Sequence, residues 1–272
     1  MAAPQKSDWL EEVCRIAQDA GRFLLENLGT LSRADISYKG HIDLVTRVDK
    51  ETEARIIRSI RELHPDHGIL AEESERQQST SKYTWVIDPL DGTTNYIHSF
   101  PLFCVSIAVC ESDRPILGAI CAPYLNELFW ASAGEGAFLN GKQLKVSRTQ
   151  ALEEGFFCTG FASMRSPTSP DNIGNFIRLL KSCQGVRRGG SAALELAYVA
   201  AGRLDGFWEL NLSPWDVAAG SLLVQEAGGR VTDMRGGPGY LHGRNVLATN
   251  ALLHDALLAR IDPTERVSDQ WQ

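Results

Sequence analysis

The sequence predicts a layered α/β fold with mixed sheets, and three observations predict it. Two amphipathic helical segments lie near the amino terminus, short β-rich runs fill the middle of the chain, and helices alternate with strands beyond Gln150. The 272 residues, 43% of them hydrophobic, are enough to bury a substantial core. Such a chain forms one large domain or two interlocked ones.

The amino-terminal part of the chain is predicted to be helical. Apolar residues recur at helical spacing from Ser7 to Leu28, with Ser7 as a suitable cap. A second helix is predicted from about Thr46 to Leu63, and His64-Pro65 ends it because the residue before a proline disfavours the α conformation. The segment His64-Pro65-Asp66-His67 is typical of a solvated turn.

The segment from Trp85 to Asn95 combines a strand with a helix start. Trp85 to Asp88 predicts a buried strand that Pro89 ends. The next residues, Asp91-Gly92-Thr93-Thr94, predict the start of a helix, where unpaired backbone N–H groups and the positive dipole end favour an anion such as phosphate. The sequence therefore predicts that a cation site and an anion site lie side by side.

The remaining elements complete the layered pattern. Strands are predicted at Phe103 to Val109, Ile116 to Ala122 and Glu127 to Ala131, and Asn140-Gly141 marks a turn. Beyond Gln150 the predicted elements are strands near 156–159, 206–210 and 246–248 and helices near 171–181, 191–201 and 214–227, with a last helix from about Asn250.

Charge and composition exclude several classes of function. A formal net charge of -7 disfavours direct binding to nucleic acid or to an anionic membrane. The chain has no apolar run of signal-peptide or membrane-span length, so a cytoplasmic location is expected. The six cysteines are scattered without a Cys-x-x-Cys spacing, which favours buried free thiols over zinc ligands or disulfides.

Five acidic residues lie at the edges of apolar segments, where exposure alone does not explain a charge: Asp49, Glu72, Asp88, Asp91 and Asp216. If they converge, each close pair repels by about 4 kcal/mol at ~4 Å in an effective dielectric of ~20, so the carboxylates must protonate or bind cations. Hard oxygen ligands favour Mg²⁺ or Mn²⁺, with Ca²⁺ as a competitor. Metal ions also supply the large rate enhancement that hydrolysis of a phosphate monoester needs.

Several motifs, taken together and in order, resemble the inositol monophosphatase family, particularly its bacterial members. The resemblance extends from about Lys39 to Asn250 and is carried by 71–74, Asp88–Tyr96, His98–Pro101, 136–141, 214–220 and 226–229. It implies an αβαβα sandwich of the sugar-phosphatase type, formed by residues 1–272 as a single catalytic unit with approximate halves 1–150 and 151–272. It also implies a lithium-sensitive, magnesium-dependent phosphatase that is usually a homodimer.

The resemblance implies a set of metal ligands. Glu72, Asp88 and the Leu90 carbonyl correspond to ligands of a first metal, and Asp88, Asp91 and Asp216 to ligands of a second. Glu72 also helps to hold a third, looser ion in the family. We therefore expect about two to three Mg²⁺ ions, with Mn²⁺ as a substitute and with Li⁺ and Ca²⁺ as inhibitors.

The resemblance also implies roles around the substrate. Asp49 and Thr93 would polarise the attacking water, and the amides of Gly92 and Thr93 would hold the phosphate. Glu72, Leu90, Asp91 and Asp216 adjoin both the metals and the substrate. The positions that contact the polyol are Gly190, Ser191, Ala192 and Glu209, with Arg187 in a supporting position, and Lys39 matches a loop lysine near the metals.

Two positions depart from the animal members of the family. Ser213 stands where they carry a histidine, and Phe161 where they carry a polyol-contacting serine. The chemistry should survive these changes, whereas selectivity for inositol depends on them.

The predicted reaction is hydrolysis of inositol monophosphate, or of a similar polyol phosphate, to the alcohol and phosphate. Histidinol phosphate, fructose 1,6-bisphosphate and adenosine 3′,5′-bisphosphate are alternative substrates, because leaving-group contacts rather than metal ligands distinguish them. A protein-binding role in a transcription complex is a second alternative, since some bacterial relatives have one.

Overall fold

Helices and strands alternate along the chain in the computed structural model, which describes residues 6–38, 44–77, 79–162 and 170–264. The helices are α1 (Lys6–Asn27), α2 (Arg47–Leu63), α3 (Thr93–Ile97), α4 (Ile173–Leu180), α5 (Ala192–Ala200), α6 (Pro214–Glu226) and α7 (His254–Leu258). The strands are β1 (Ile36–Tyr38), β2 (Leu44–Thr46), β3 (Gly68–Ala71), β4 (Tyr83–Asp91), β5 (Cys104–Glu111), β6 (Arg114–Ala122), β7 (Glu127–Ser132), β8 (Gly136–Leu139), β9 (Lys142–Gln143), β10 (Phe156–Thr159), β11 (Gly185–Arg187), β12 (Gly206–Leu210), β13 (Arg230–Thr232) and β14 (Asn245–Thr249).

The two larger sheets are mixed, as predicted. The seven-stranded sheet has the order β3-β4-β5-β6-β7-β8-β9, with β3 and β4 parallel and its other pairs antiparallel. The five-stranded sheet has the order β11-β10-β12-β14-β13, in which β10 is parallel to both neighbours and β14 is antiparallel to both of its own. Strands β1 and β2 form a separate antiparallel pair.

Three hydrophobic cores hold these sheets in layers. Helices α1 and α2 pack on one face of the seven-stranded sheet. Helices α5 and α6 fill the space between the two sheets, and α4 and α7 cover the outer face of the five-stranded sheet. The order of layers is therefore helix, sheet, helix, sheet, helix, which confirms the predicted αβαβα sandwich.

The strand sequences explain why both sheets are buried on two faces. In β4, Trp85 and Ile87 contact the α1/α2 core, whereas Val86 contacts the central core. In β12, Phe207 faces the central core and Trp208 faces α4 and α7. Because successive side chains of a strand point to opposite faces, a continuous apolar run can be buried only between two helical layers.

Most predicted elements agree with the structure to within a few residues, and three details were wrong. Strand β4 continues past Pro89 to Asp91, because an irregularity in its pairing with β5 accommodates the proline. Helix α1 includes Lys6, so Ser7 lies within it rather than before it. The last helix begins at His254, because the Asn250 side chain accepts the Leu253 N–H in a turn ahead of it.

The predicted solvated turn at His64-Pro65-Asp66-His67 was also wrong in part. The His67 side chain is buried, and its Nδ1 accepts a hydrogen bond of 3.1 Å from Trp85 Nε1. The His64 ring stacks on His67 with centroids 4.6 Å apart, and its Nε2 lies 2.7 Å from Glu12 Oε2. The two histidine rings of this turn therefore pack against α1 and β4 instead of facing solvent.

The cysteine prediction is confirmed, because all six are free thiols and four of them are buried. Burial raises the pKa of Cys110 to about 12, so that this thiol is inert at neutral pH. Within the described segments, none of the helices combines the length and the apolar character that crossing a membrane requires. The organisation of residues 1–272 as a single catalytic unit stays a prediction.

Candidate active site

The site begins where two parallel strands of the seven-stranded sheet end. Ala71 of β3 pairs with Ile87 of β4, so the residues that follow them, Glu72 and Asp88, come side by side. Asp88 is almost completely buried, and the two carboxyl groups share a hydrogen bond. Parallel pairing thus brings together two acidic residues that are distant in sequence.

An irregularity in β4 brings a third carboxylate to the same place. Residues three apart on a regular strand face opposite sides of the sheet. Here Asp88 pairs with Ser106 and Asp91 with Cys104, so three steps along β4 match two steps along β5. This extra residue forms a β-bulge, which turns Asp91 to the same side as Asp88.

The fourth carboxylate comes from the first turn of α6. Asp216 Oδ2 accepts the backbone N–H of Ser213 at 2.6 Å, which is the carboxylate half of a capping box. The start of the helix is held against the sheet by Ser106, whose hydroxyl donates to the Trp215 carbonyl at 3.3 Å. The cap uses one carboxylate oxygen of Asp216 and leaves the other available.

Asp88, Asp91 and Asp216 form a cluster in which one carboxylate oxygen of each lies within 4.8 Å of the others. We call this cluster, with Glu72, the carboxylate end of the site. Burial, followed by the charges of Glu72, Asp91 and Asp216, raises the pKa of Asp88 well above its usual value. Burial raises the pKa of Asp91 to about 6, although hydrogen bonds from Ser191 and Ala193 act in the opposite direction.

The donor set fits a hard divalent cation. It consists of carboxylate oxygens at mutual distances that one ion or a close pair of ions can bridge. The raised pKa values report the cost of burying several carboxylates and of keeping their like charges together, and a bound cation relieves that cost. Three of these carboxylates therefore have both the geometry and the electrostatic demand of a metal site.

Beside the carboxylate end lies the start of α3. Gly92 has φ +93° and ψ +37°, and a Cβ there would lie 2.9 Å from the Leu102 carbonyl oxygen, so only glycine fits this tight turn. The Thr93 hydroxyl lies 3.0 Å from Asp49 Oδ1 and 3.2 Å from the Leu90 carbonyl oxygen. The predicted helix start is confirmed, and its Thr93 hydroxyl points toward the buried carboxylate of Asp49.

Asp49 is oriented by the start of α2. Its Oδ2 accepts the Thr46 backbone N–H at 2.9 Å and a short hydrogen bond from the Thr46 hydroxyl, while the Asp49 N–H donates back to that hydroxyl. This capping box occupies Oδ2 and leaves Oδ1 for Thr93. Burial raises the pKa of Asp49, whereas the bonds from Thr46 and Thr93 lower it.

A cavity of about 420 Å³ opens onto these groups. Predicted site residues that line it are Glu72, Asp88, Leu90, Asp91, Gly92, Thr93, Gly190, Ala192, Glu209 and Asp216. Phe161 and Ser213, the two positions that depart from the animal enzymes, line it too. The structure therefore gathers most of the predicted site, together with Phe161 and Ser213, around one pocket.

Three predicted site residues lie outside the cavity wall. The Ser191 hydroxyl donates to Asp91 Oδ2 at 2.7 Å, so Ser191 orients a carboxylate that lines the cavity without lining it itself. Asp49 likewise accepts a hydrogen bond from the cavity-lining Thr93 hydroxyl. The Arg187 guanidinium instead stacks on the Phe156 ring, 4.8 Å from its centroid. Lys39 falls outside the described residues.

Glu209 projects from the end of β12 into the opposite side of the cavity. Its Oε1 accepts the Ala162 N–H at 3.0 Å, and burial raises its pKa to about 8. Gly160 faces it so closely that a Cβ would lie 2.1 Å from Glu209 Oε2. The absence of a side chain at Gly160 therefore makes room for this carboxyl group.

Glu195 supports the glycine turn from within the protein. Its Oε1 accepts the backbone N–H groups of Gly189 and Gly190, at 2.5 and 3.0 Å. The side chain therefore fixes the glycine turn that forms part of the cavity wall. Burial raises the pKa of Glu195 to about 7, and these two bonds lower it.

Sequence reasoning missed several cavity-lining residues, among them Arg188, Asn211, Leu212 and Arg244. They lie in turns that follow or precede strands of the five-stranded sheet, and no capping motif or apolar edge marks them. Arg188 could have been found from its position immediately before the glycine turn. Nothing in the sequence around Arg244 indicates that it reaches this pocket.

Comparison with known proteins agrees with the geometry. The family model described as "Inositol monophosphatase family" matches residues 5–265. A protein named Nus factor SuhB from Escherichia coli (strain K12) is 46% identical over 248 residues, covering 91% of this chain and 93% of that protein. An inositol-1-monophosphatase from Synechocystis sp. is 42% identical over 265 residues, covering 97% and 92%.

Solved structures give the same result. An inositol monophosphatase from Anabaena (Nostoc) sp. superimposes with a TM-score of 0.84 at 41% identity, covering 94% of this chain and 97% of that chain. Extragenic suppressor protein suhB from Bartonella henselae gives 0.87 at 39% identity, covering 93% and 98%. The chain is a phosphatase, and it belongs to the inositol monophosphatase family.

Proposed function

We propose that this chain hydrolyses inositol monophosphate or a similar polyol phosphate with the help of Mg²⁺. One observation carries the proposal: Asp88, Asp91 and Asp216 converge within 4.8 Å, in the same pocket that Gly92 and Thr93 line. Carboxylates alone would repel a phosphate dianion. A carboxylate cluster beside a helix start is therefore best suited to a phosphate that arrives together with divalent cations.

The carboxylate end would hold the metals. Glu72, Asp88 and the Leu90 carbonyl would bind one ion, and Asp88 with Asp91 and Asp216 would bind another. Glu72 would also contribute to a third, more loosely held ion. Bound ions would neutralise charge on the phosphoryl group and make a water more acidic.

Thr93 and Asp49 would prepare the attacking water. The Thr93 hydroxyl lies within hydrogen-bond distance of Asp49 Oδ1, so its proton is held by the carboxylate and its lone pairs face the cavity. A water that donates a hydrogen bond to the Thr93 oxygen would transfer a proton to it as that water attacks phosphorus, while the Thr93 proton would move to Asp49 Oδ1. Because Asp49 is buried, this polarisation is screened less than at the surface.

The start of α3 would hold the phosphate, and the far wall would hold the alcohol. The backbone N–H groups of Gly92 and Thr93 are suited to phosphate oxygens. Glu209 and the turn at Gly190 to Ala192 would contact the polyol hydroxyls. Ser191 would act through Asp91, because its hydroxyl bonds to that carboxylate.

Further properties follow from family membership. We expect Mn²⁺ to substitute for Mg²⁺ and Li⁺ and Ca²⁺ to inhibit. We also expect a homodimer, a cytoplasmic location and no direct contact with nucleic acid or membrane.

The test is phosphate release from a panel of sugar and polyol phosphates with and without Mg²⁺. We expect the highest efficiency on inositol 1-phosphate or a close polyol analogue, and loss of turnover when the metal is chelated. Equal turnover in the presence of a strong chelator would contradict the proposal. Preference for histidinol phosphate, fructose 1,6-bisphosphate or adenosine 3′,5′-bisphosphate would change the identity of the substrate but not the proposed metal-dependent hydrolysis.

A second candidate function is a binding role in a transcription complex, which the relative named Nus factor SuhB favours. The two functions are separable with the Asp91→Asn variant expressed in place of the native chain. If a cellular phenotype depends on catalysis, the inactive variant should reproduce the deletion phenotype. If the folded but inactive variant restores the native phenotype fully, the protein acts there as a binding partner.

A further inference from the structure

Two arginines line the cavity, and the function derived above uses neither of them. Arg188 and Arg244 both have exposed side chains that reach the cavity wall. In the described parts of the chain, neither guanidinium has a hydrogen bond or an ion pair. We call this pair, together with the neighbouring Glu209, the arginine end of the site.

Arg188 is located by its contacts with the glycine turn. A Cβ built on Gly190 would lie 2.7 Å from Arg188 Nη1, so the guanidinium lies directly over this part of the cavity wall. It is also close enough to Glu209 to lower the pKa that burial raises. Arg188 is therefore beside Gly190 and Glu209, two of the residues proposed to contact the alcohol.

Arg244 reaches the cavity from the five-stranded sheet. It immediately precedes β14, whose first residue, Asn245, pairs with Leu210 at the end of β12. Its backbone has φ +60°, a conformation that non-glycine residues rarely adopt. The Arg244 carbonyl accepts the Leu212 N–H at 3.1 Å, which ties this unusual turn to the cavity-lining loop.

The proposed chemistry leaves the charges of these two arginines only partly compensated. Two divalent ions would balance the four carboxylates at the carboxylate end, and a third ion would balance the charge of the scissile phosphate. Arg188 and Arg244 then contribute two positive charges to the cavity, whereas Glu209 carries at most one negative charge and a neutral polyol carries none. Guanidinium groups are well suited to phosphate and carboxylate groups, which accept two parallel hydrogen bonds.

We propose that Arg188 and Arg244 form a subsite for a second anionic group on the alcohol part of the substrate. This inference rests on the proposed phosphatase function and extends its substrate class to polyol phosphates that also carry a second phosphate or a carboxylate. The cavity of about 420 Å³ is within the roughly 300–1,000 Å³ range of small-molecule sites, so it has room for such a ligand.

The test compares matched substrates that differ by one anionic group. The pairs are inositol 1,4-bisphosphate with inositol 1-phosphate, and 6-phosphogluconate with sorbitol 6-phosphate. Efficiencies, as kcat/KM, are measured for the wild type and for Arg188→Gln and Arg244→Gln. Arg114→Gln, at the exposed start of β6, is the control for loss of one positive charge. Thermal melting confirms that each variant is folded.

We expect Arg188→Gln and Arg244→Gln each to lower the efficiency on the doubly anionic substrate about tenfold more than on its partner, mainly through KM. Arg114→Gln should leave that ratio unchanged. A response in the first pair alone identifies a second phosphate as the ligand, and a response in both pairs shows that a carboxylate is sufficient. An unchanged ratio in both arginine variants would overturn the subsite.

The subsite can be tested even if the proposed function fails. If the wild type releases no phosphate from any ester, the proposed phosphatase reaction is wrong. Calorimetric titration with inositol 1,4-bisphosphate in the presence of Mg²⁺ then decides the inference. Binding weakened about tenfold or more by Arg188→Gln would support the subsite. Equal binding by the wild type and both arginine variants, or no binding by any of them, would overturn it.

Discussion

The carboxylate end and the arginine end of the same pocket are built in opposite ways. Asp91 accepts hydrogen bonds from Ser191 and from the Ala193 amide, and Asp216 accepts one from the Ser213 amide. Among the described residues, Arg188 and Arg244 have exposed side chains without hydrogen bonds of this kind, although Glu209 at the same end is buried and accepts the Ala162 N–H. The carboxylate end is held rigidly by buried hydrogen bonds and helix caps, while the two arginine side chains can adjust to the ligand that they bind.

This difference indicates that the carboxylate end serves the reaction and that the arginine end serves substrate selectivity. Reaction at phosphorus needs oxygen ligands fixed to within a fraction of an ångström, and buried hydrogen bonds supply that precision. Selectivity for the alcohol part of the substrate needs contacts that can vary without moving the oxygen ligands of the metals. We therefore expect substitutions at the carboxylate end to lower kcat for every substrate, and substitutions at the arginine end to change which substrate is preferred.

The largest effect is expected from Asp91→Asn or Asp216→Asn. Each change would remove a metal ligand, so we expect a loss of several kcal/mol of transition-state stabilisation, about 10³-fold or more in kcat/KM. The measurement is steady-state phosphate release, with circular dichroism to verify folding. Near-normal rates from either folded variant would show that the carboxylate end is not the reaction centre.

A smaller loss is expected from Thr93→Val, which removes the hydroxyl but keeps the shape of the side chain. Because this hydroxyl bonds to buried Asp49, we expect kcat to fall about 10²-fold while KM changes little. Thr80→Val is the matched control, since Thr80 is exposed and is not among the residues that line the cavity. Equal effects from the two variants would refute a special role for Thr93.

Stability should depend on pH differently with and without metal. An unfolded aspartate ionises near pH 3.9, whereas burial raises the pKa of Asp91 to about 6. Between these values the folded state retains a proton that the unfolded state loses, so stability falls as pH rises through this window and levels off above it.

Thermal melting of the metal-free protein from pH 4 to 8 measures this dependence. We expect the melting temperature to decline with rising pH without metal, and saturating Mg²⁺ to raise it most above pH 6. A melting temperature that Mg²⁺ leaves unchanged at pH 8 would contradict the metal site.

The smallest effect is expected from Ser213→His. The backbone N–H of residue 213 still donates to Asp216, because any residue except proline can supply that bond. The new ring would enter the cavity from its wall, so we expect the relative efficiency on inositol 1-phosphate and other esters to change by about a few fold. An unchanged ratio would mean that this position does not select the substrate.

The parts of the site that were predictable are those fixed by local sequence. Asp49 occupies the third position of a capping box begun by Thr46, and Asp216 stands in the same relation to Ser213. Glu72 and Asp88 each follow an apolar strand, which placed them at the ends of buried elements. The layered fold followed from the same local patterns of apolar residues.

The parts that were not predictable depend on pairing between distant segments. The bulge that turns Asp91 toward Asp88 is a property of the register between β4 and β5, and Pro89 alone indicated only an end to the strand. Arg244 reaches the cavity because β14 pairs beside β12. His67 is buried because Trp9, Trp85 and Tyr83 pack around it, and no short segment carries that information.

The most direct test of the central claim is an anomalous-difference map from crystals soaked in Mn²⁺ and measured near the manganese absorption edge. We expect at least one strong peak in contact with the carboxylates of Asp88, Asp91 and Asp216, adjoining the turn at Gly92 and Thr93. A map with well-ordered carboxylates and no peak among them, at a Mn²⁺ concentration that supports turnover, would contradict it.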